Sequence, residues 1–342
     1  MTFKAVLAAI AVATALLTAT ASPARAETVL VMSSWLPPRH PIIVNAFRPW
    51  ARQIAQVTDG RVSVRVLARP LGPAPAHFDM AVDGVADVTF GLHSFTNDNR
   101  FARSRIGQFS FIGDDAVSGS KAFWTVYTGM LDAEAEHKGV KLLGLFLHGP
   151  GVLHNNVRRL ETPADLKGLK IRTPGGYITD LMGEMGATTL FMSSGEVYEK
   201  LSRGVIDGVT FTYEALTAFR LTRHLKFAMR VPGGIYNSTW FVVVNQAKWN
   251  EISAQDQAAI EAISGEVFAE LVGKAWNDAD TEAIKTITAA GIEIYDAPVP
   301  LVDAIKTAAQ EFEAEWAETV AGQGFDGVKA LEALRSQSGV SH

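Results

Sequence analysis

The hydrophobic pattern in the first part of the chain alternates between strand and helix periods. Short runs rich in β-branched residues occupy 28–35 (TVLVMSSW), 61–67 (RVSVRVL) and 87–92 (DVTFGL). Amphipathic stretches separate them, among them AHFDMAVDGV at 76–85. Strands that alternate with helices are typical of parallel βαβ units. The pattern therefore predicts an α/β lobe.

The same alternation repeats after a break. The apolar run KLLGLFL (141–147) has the character of a buried parallel strand and is followed by His-Gly-Pro-Gly at 148–151. Further strand-like runs follow at 169–173 (LKIRT), 187–192 (ATTLFM), 205–211 (VIDGVTF) and 239–245 (TWFVVVN). We interpret 148–151 as a crossing into a second α/β lobe.

A helix longer than the globular average is predicted over 253–290. Ser253 and Asp256 form a start that resembles a capping box, and no proline occurs from there to Ala290. A helix of this length can lie across two lobes.

The amino terminus has the features of a secretory signal peptide over residues 1–26. Lys4 precedes an apolar run from Ala5 to Leu17, and Ala24-Arg25-Ala26 provides a small-x-small cleavage site. The run is shorter than the roughly 20 residues that span a bilayer. Because the chain has no cysteine, it lacks the acceptor for a lipid tether and cannot form disulfides. The simplest location is a bacterial periplasm.

The charge balance and the absence of several sequence motifs argue against some classes of function. The net charge is −5, with 31 Lys and Arg against 36 Asp and Glu, so nucleic acid is not an expected partner. An anionic ligand would need specifically placed cations. The sequence contains no nucleophile elbow, zinc-protease motif, phosphate loop or EF-hand pattern. It therefore predicts no catalytic residue, no metal site and no cofactor.

One arginine is a candidate for binding an acid. In DLKGLKIRTPGG (165–176), Gly168 allows a turn into a strand, and Pro174-Gly175-Gly176 ends that strand. Ligands of open α/β sheets bind just outside such carboxyl ends. Arg172 would lie there with a planar set of donors that matches a carboxylate. The alternative is an ordinary solvated arginine beside a turn.

Several segments, taken in order, carry a family resemblance. DLKGLKIRTPGG is followed by GATTLFMSSGEVYEKLSRGVIDG (186–208) and by a strand that ends in NQAKW (245–249). In the front half, TDGRVSVRVL (58–67), Leu71-Gly72 and MAVDGVADVTFG (80–91) belong to the same pattern. The combination resembles the DctP-type extracytoplasmic receptors of TRAP transporters.

The resemblance implies a periplasmic-binding-protein-like fold with two lobes, a hinge and a long helix across both lobes. We expect lobe I to comprise 27–150 and about 238–277, and lobe II to comprise 151–237 and about 278–342. The resemblance also implies that Arg172 pairs with the ligand carboxylate, and that the receptor delivers an organic acid to small and large membrane subunits. We expect a monomer.

Two departures from the family pattern bear on the ligand. Val152 and Phe211 occupy the positions of a second arginine and an asparagine in sialate- and dicarboxylate-type members. The ligand is therefore expected to be a monocarboxylate with an apolar or aromatic body. Phe211, Tyr213, Tyr236 and Phe95 can supply flat contacts, or they can belong to the ordinary core.

Four polar or amphipathic residues complete the set of candidates. His148 and His154 flank the predicted crossing, where a neutral imidazole can donate to a ligand oxygen. Trp35 and Asn237 stand in segments expected to face the cleft. For each of the four, a purely structural role is the alternative.

Two other function classes remain open. A secreted α/β enzyme acting on an organic acid needs a nucleophile or an acid/base pair near Arg172. The nearest candidates, Ser193, Ser194 and Glu196, have no histidine at a recognisable spacing. A receptor of an ABC importer is the other alternative.

Overall fold

Two mixed sheets organise the computed structural model, which describes residues 28–96 and 98–340. The predicted signal peptide, residues 1–26, lies outside the described residues. The first sheet has the strand order β2-β1-β3-β10-β4, and the second has the order β11-β9-β5-β8-β6-β7. The strands are β1 (Thr28–Met32), β2 (Val62–Val66), β3 (Val88–Leu92), β4 (Val140–Leu147), β5 (Val152–Asn155), β6 (Lys170–Thr173), β7 (Thr188–Phe191), β8 (Gly208–Phe211), β9 (Phe227–Arg230), β10 (Thr239–Asn245) and β11 (Glu293–Asp296).

Helices cover both sheets. They are α1 (Arg48–Val57), α2 (His77–Val82), α3 (Ala116–Leu131), α4 (Ala133–Glu136), α5 (Tyr177–Glu184), α6 (Ser194–Ser202), α7 (Tyr213–Ala218), α8 (Gln246–Asn250), α9 (Ala254–Ala262), α10 (Gly265–Ala289), α11 (Val299–Ala321) and α12 (Gly327–Gln337). A π-helical turn, Ile43–Phe47, precedes α1. Short 3-10 turns lie at Ala74–Ala76, His93–Phe95, Asn99–Phe101, Arg103–Gln108, Pro163–Leu166 and Thr222–His224.

Each sheet contains one strand that runs against its neighbours, and that strand follows a crossing between the sheets. β5 is antiparallel to β8 and β9, and it begins directly after β4 leaves the first sheet. β10 is antiparallel to β3 and β4, and it is the first strand after the chain returns from β9. The parallel strands of both sheets therefore point their carboxyl ends at the boundary between the two lobes, where ligands of α/β proteins bind.

The long helix predicted over 253–290 is two helices, α9 and α10. Ser264 separates them, with its hydroxyl donating to the carbonyl of Ile260 at 2.7 Å and accepting from Trp50 Nε1 at 3.3 Å. Gly265 follows with a φ of +57°, and a Cβ there would lie 2.7 Å from the Trp124 ring. Because this conformation and this approach both require glycine, the helix is interrupted there.

Helix α10 extends over both lobes. It packs against α3 and β4 of the first lobe and against α7 of the second. Near its carboxyl end, Ala283 and Ile287 belong to the apolar cluster of the second sheet. A two-lobed fold linked by a long helix is thus present, with the helix shorter than predicted.

The last helix, α12, lies beside the first lobe, whereas the sequence analysis assigned it to the second lobe. Residues 278–342 were expected in lobe II, but α12 packs against α3, beside the first sheet. Arg335 of α12 donates to the carbonyl of Ser110, and Ser118 of α3 donates to the carbonyl of Ser338. The last helix therefore contacts the first lobe. The other predicted boundaries remain a proposal.

We expect Gly273 of α10 to be essential for the contact with α3. A Cβ at this position would lie 2.6 Å from both the carbonyl oxygen of Ala116 and the Cα of Val117. Gly273→Ala should therefore lower the free energy of unfolding by about 1–3 kcal/mol through overpacking. Urea denaturation measures the change.

Gly129 of α3 is the matched control, because it is exposed and a Cβ there meets nothing within 4 Å. Gly129→Ala should raise stability by about 0.5–1 kcal/mol, since alanine favours the helix. Equal effects of the two substitutions would contradict the close approach of α10 and α3.

Candidate functional site

A cavity lies where the carboxyl ends of the two sheets face each other. Its empty volume is about 430 Å³. Both lobes contribute to the wall, which is mainly aromatic with a few buried polar groups. The lining residues are Trp35, Leu36, His40, Leu92, Phe95, His148, Arg172, Pro174, Ser194, Phe211, Thr212, Glu214, Ala215, Phe219, Tyr236, Ser238, Trp240 and Trp276.

Arg172 is held at this cavity by the strands on either side of its own. It lies in β6, between β7 and β8, and is 1% exposed. Nε donates to the carbonyl of Met192 at 2.9 Å, and Nη1 donates to the carbonyl of Thr210 at 3.2 Å. The two carbonyls fix the plane of the guanidinium.

Arg172 forms no ion pair in the described part of the chain, although the more distant Glu196 carboxylate favours its charge. No carboxylate lies within 4.0 Å of its guanidinium, and no hydrogen bond engages Nη2, among residues 28–96 and 98–340. The Phe211 ring lies 4.1 Å from the guanidinium carbon. Burial lowers the pKa of Arg172 to about 10, so the group stays charged at neutral pH. A buried, unpaired cation favours an anionic guest.

Flat apolar walls enclose the remaining space. Trp35 stacks on Trp240 with ring centroids 5.4 Å apart and planes 8° apart, and Phe95 meets Trp35 edge-on at 5.5 Å. Phe211 stacks on Phe219 at 5.9 Å. Such surfaces complement an aromatic or flat apolar ligand body.

His148 lines the cavity, but both of its ring nitrogens are already engaged. Nε2 accepts from the backbone N–H of Ser238 at 2.9 Å, and Nδ1 contacts the carbonyl of Gly149. Because a carbonyl can only accept, Nδ1 carries the proton. Burial lowers the pKa of His148 to about 4, so the ring is neutral. The predicted donation from His148 to a ligand oxygen is therefore not available in this arrangement.

Tyr236 packs beside His148 at the same wall. Their rings meet edge-on at 5.3 Å, and Tyr236 is almost fully buried. Burial raises the pKa of the Tyr236 hydroxyl, while the neighbouring Arg172 charge opposes this shift. The hydroxyl thus remains a neutral donor close to the guanidinium.

Three of the nine predicted site residues, His154, Tyr213 and Asn237, do not line the cavity. His154 Nε2 interacts with the carbonyl of Phe211 at 3.3 Å, and its ring meets Tyr213 edge-on at 6.0 Å. Asn237 is buried, with its backbone N–H bonded to the carbonyl of Gln108 at 3.2 Å. These residues lie behind the wall, whereas Arg172, Phe211, Tyr236, His148, Trp35 and Phe95 line it.

Several lining residues were not predicted. Trp240 and Phe219 belong to segments whose apolar character was visible, but nothing in the pattern assigned them to a ligand. Trp276 lies in the middle of α10, and Glu214 and His40 approach from opposite lobes. A tryptophan inside an otherwise Ala- and Glu-rich helix was an available signal for Trp276. For Glu214 and His40 we find no sequence signal.

The described part of the chain contains neither a cluster of metal-ligating side chains nor a helix suited to span a membrane. Across residues 28–96 and 98–340, no group of three or more His, Asp or Glu side chains is arranged to hold a metal ion. Within those same ranges, no helix has the length and hydropathy needed to cross a bilayer.

Comparison with known families assigns the chain. The family model DctP, bacterial extracellular solute-binding protein family 7, matches residues 32–319. The chain belongs to this family. The resemblance to TRAP receptors predicted from the sequence is thus confirmed, and members of the DctP family are receptors rather than enzymes.

Solved structures support the assignment. A TRAP periplasmic solute-binding protein from Bordetella bronchiseptica with bound (R)- and (S)-mandelate is 37% identical, with a TM-score of 0.88 and coverage of 91% of this chain and 98% of that chain. A TRAP solute-binding protein from Rhodoferax ferrireducens in complex with benzoate is 27% identical, with a TM-score of 0.83 and coverage of 91% and 97%. The two-lobed fold of this DctP-family chain is confirmed.

A curated relative matches over nearly the same length. The protein named outer membrane transporter protein TsaT, from Comamonas testosteroni, is 28% identical over 319 residues. The alignment covers 93% of this chain and 94% of TsaT. The similarity therefore extends over the whole DctP-family fold.

We expect His154 to make the stability of the protein depend on pH. Burial lowers its pKa from 6.5 to about 3. Below pH 6.5 the unfolded chain therefore binds a proton that the folded chain does not. Because of His154, the free energy of unfolding should decrease by about 1.4 kcal/mol for each unit by which the pH falls from 6.5 to 3. Relative to wild type, His154→Leu should gain stability at that rate as the pH falls.

Urea denaturation at pH 7.5, 6.0 and 4.5 measures this difference. Leu153→Met is the control, because Leu153 is the buried neighbour and does not titrate. Its effect on the free energy of unfolding should be independent of pH. A His154→Leu difference that is constant with pH would show that His154 is protonated in the folded state.

Proposed function

We propose that this chain is the periplasmic receptor of a TRAP-type importer and that it captures an aromatic monocarboxylate. The observation that carries the proposal is the buried guanidinium of Arg172, which lacks a counter-ion among the described residues. A ligand carboxylate would supply that charge and accept from Nη2, which points to no protein acceptor.

The number of cations at the cavity supports a single carboxylate. Arg172 is the one arginine or lysine among the lining residues, and burial keeps His148 and His40 neutral. A second carboxylate would be buried without a partner, which is costly. The stacked walls around Trp35 and Phe211 favour a ring as the ligand body. Mandelate and benzoate, bound by the two structural relatives, have this chemistry.

Contacts between the lobes support capture by closure. Ser94 donates to the carbonyl of Pro174 at 3.1 Å, and Arg105 pairs with Asp180 at 2.7 Å. Gly175 has a φ of +87°, and a Cβ there would lie 2.5 Å from the carbonyl of Ser94. The turn after β6 therefore fits against the first lobe only with glycine at this position. Closure over the ligand would present a new surface to the membrane subunits of the importer.

The cavity chemistry supports a receptor over a hydrolase. Ser194 and Ser238 are the cavity serines, and a serine nucleophile needs a base to take its proton. His148 is one of the two histidines that line the cavity, but its nitrogens bond to backbone atoms. We propose that the bound acid leaves unchanged, and that the receptor acts as a monomer without a cofactor.

Arg172→Lys should preserve the fold and lower the affinity for benzoate and mandelate on the order of 100-fold. An ammonium cannot reproduce the planar pair of hydrogen bonds, each of which is worth about 1.5–3 kcal/mol to a charged group. Isothermal titration calorimetry measures the loss. Arg203→Lys is the control, since Arg203 directly follows the end of α6 and its side chain is 71% exposed. Unchanged affinity in Arg172→Lys would refute the carboxylate pair.

A thermal-shift panel tests the ligand class. Benzoate, phenylacetate and mandelate should raise the melting temperature, because binding to the folded form stabilises it by about 2.7 kcal/mol at 100 times Kd. Succinate and terephthalate should give no shift, because the cavity holds one cation. A shift with the diacids but not with the aromatic monoacids would overturn the proposed class. Product formation during the assay would favour an enzyme instead.

A further inference from the structure

A second polar group faces the cavity apart from Arg172. Glu214 lies in the first turn of α7 in the second lobe, and it is 2% exposed. Its Oε2 atom has no hydrogen-bond partner among residues 28–96 and 98–340. A buried polar atom without a partner is costly and rare. Because Glu214 lines the cavity, a ligand atom can be that partner.

His40 of the first lobe lies beside this carboxyl group. Its Nδ1 accepts from the backbone N–H of Ile42 at 3.3 Å, so in the neutral ring the proton is on Nε2. Nε2 lies 3.6 Å from Glu214 Oε1, which is longer than a hydrogen bond. His40 therefore adjoins the Oε1 side of the carboxyl group, and Oε2 is the atom available to a ligand.

The surroundings of Glu214 favour its protonated form. Asp280 Oδ1 accepts from the backbone N–H of Glu214 at 2.8 Å, so a second acid lies close by. Burial, and then the charge of Asp280, raise the pKa of Glu214, while a hydrogen bond from Thr212 opposes the shift. Burial also lowers the pKa of His40 to about 3. The two groups thus form a neutral pair, although their separation alone would also suit an ion pair.

We infer that Glu214 is a specificity residue that hydrogen-bonds a neutral oxygen substituent, such as a hydroxyl group, on the aromatic acid. This inference rests on the proposed function and adds a second recognition point to it. Arg172 binds the carboxylate, the aromatic walls hold the ring, and Glu214 distinguishes hydroxylated acids from their unsubstituted parents. A site built to bond a hydroxyl disfavours the analogue that lacks it, because its own polar group then stays unpaired.

The ligand-side test needs no variant. Calorimetry on the wild-type protein compares benzoate with the three hydroxybenzoates and the three methylbenzoates, and phenylacetate with mandelate. At least one hydroxylated acid should bind about tenfold or more tightly than its parent, a factor that corresponds to about 1.4 kcal/mol. The methyl acid of the same pattern should not. Hydroxylated acids that bind no more tightly than their parents would overturn the inference.

The protein-side test completes a double-mutant cycle. Glu214→Gln keeps a neutral hydrogen-bonding group and should retain the preference for the hydroxylated acid. Glu214→Leu should lose that preference, so that the ratio of the two dissociation constants, parent acid over hydroxylated acid, falls toward one. Glu199→Gln is the control, because Glu199 is exposed on α6. An equal loss of parent and hydroxylated acid in Glu214→Leu would overturn the inference.

The outcomes separate the inference from the proposed function. If no aromatic acid binds the wild-type protein, or if Arg172→Lys binds them equally well, the proposed function fails and the inference fails with it. If benzoate binds through Arg172 but hydroxylation has no effect, the inference alone fails. Circular dichroism and the melting temperature establish that each variant is folded, and the ligand-side test decides the question if Glu214→Leu is not.

Discussion

The candidate site depends on one buried charge, the guanidinium of Arg172, which forms no ion pair with the described residues. Arg172 is oriented by the carbonyl of Met192, which directly follows β7, and by the carbonyl of Thr210 in β8. These carbonyls stabilise the guanidinium as dipoles but supply no net charge. Under the proposed function, a bound anion lowers the cost of enclosing Arg172, which would link ligand binding to closure.

The sequence predicted the parts of this arrangement that follow from local patterns. The runs at 28–35, 61–67, 87–92 and 141–147 contain β1 to β4, because buried strands need continuous or alternating apolar residues. The position of Arg172 followed from a strand that ends in Pro-Gly-Gly beside a family pattern. The strands β5, β9 and β11 were not identified, since their stability comes from pairing within the second sheet, which a local pattern does not show.

What the sequence could not predict comes from contacts between distant segments. Glu214 and His40 are separated by most of the chain, and only the packing of the two lobes brings them to 3.6 Å. The interruption at Ser264 has a similar cause, because Trp50 and Trp124 approach the helix from other elements. His154 lies beside the crossing, but the direction of its side chain depends on the register of β5, which places it behind the wall.

Arg172 and Glu214, the two polar groups that the proposals use, would interact with different features of a ligand. Arg172 stays charged when buried, whereas burial raises the pKa of Glu214 and so favours its protonated form. A charged group supplies most of the affinity for an anion, because the ion pair offsets the free-energy cost of burying the charge when the lobes close. A neutral group contributes less affinity, but it penalises any ligand that leaves it unpaired. On the two proposals together, the cavity would accept acids in general through Arg172, while Glu214 and the aromatic walls would select among them.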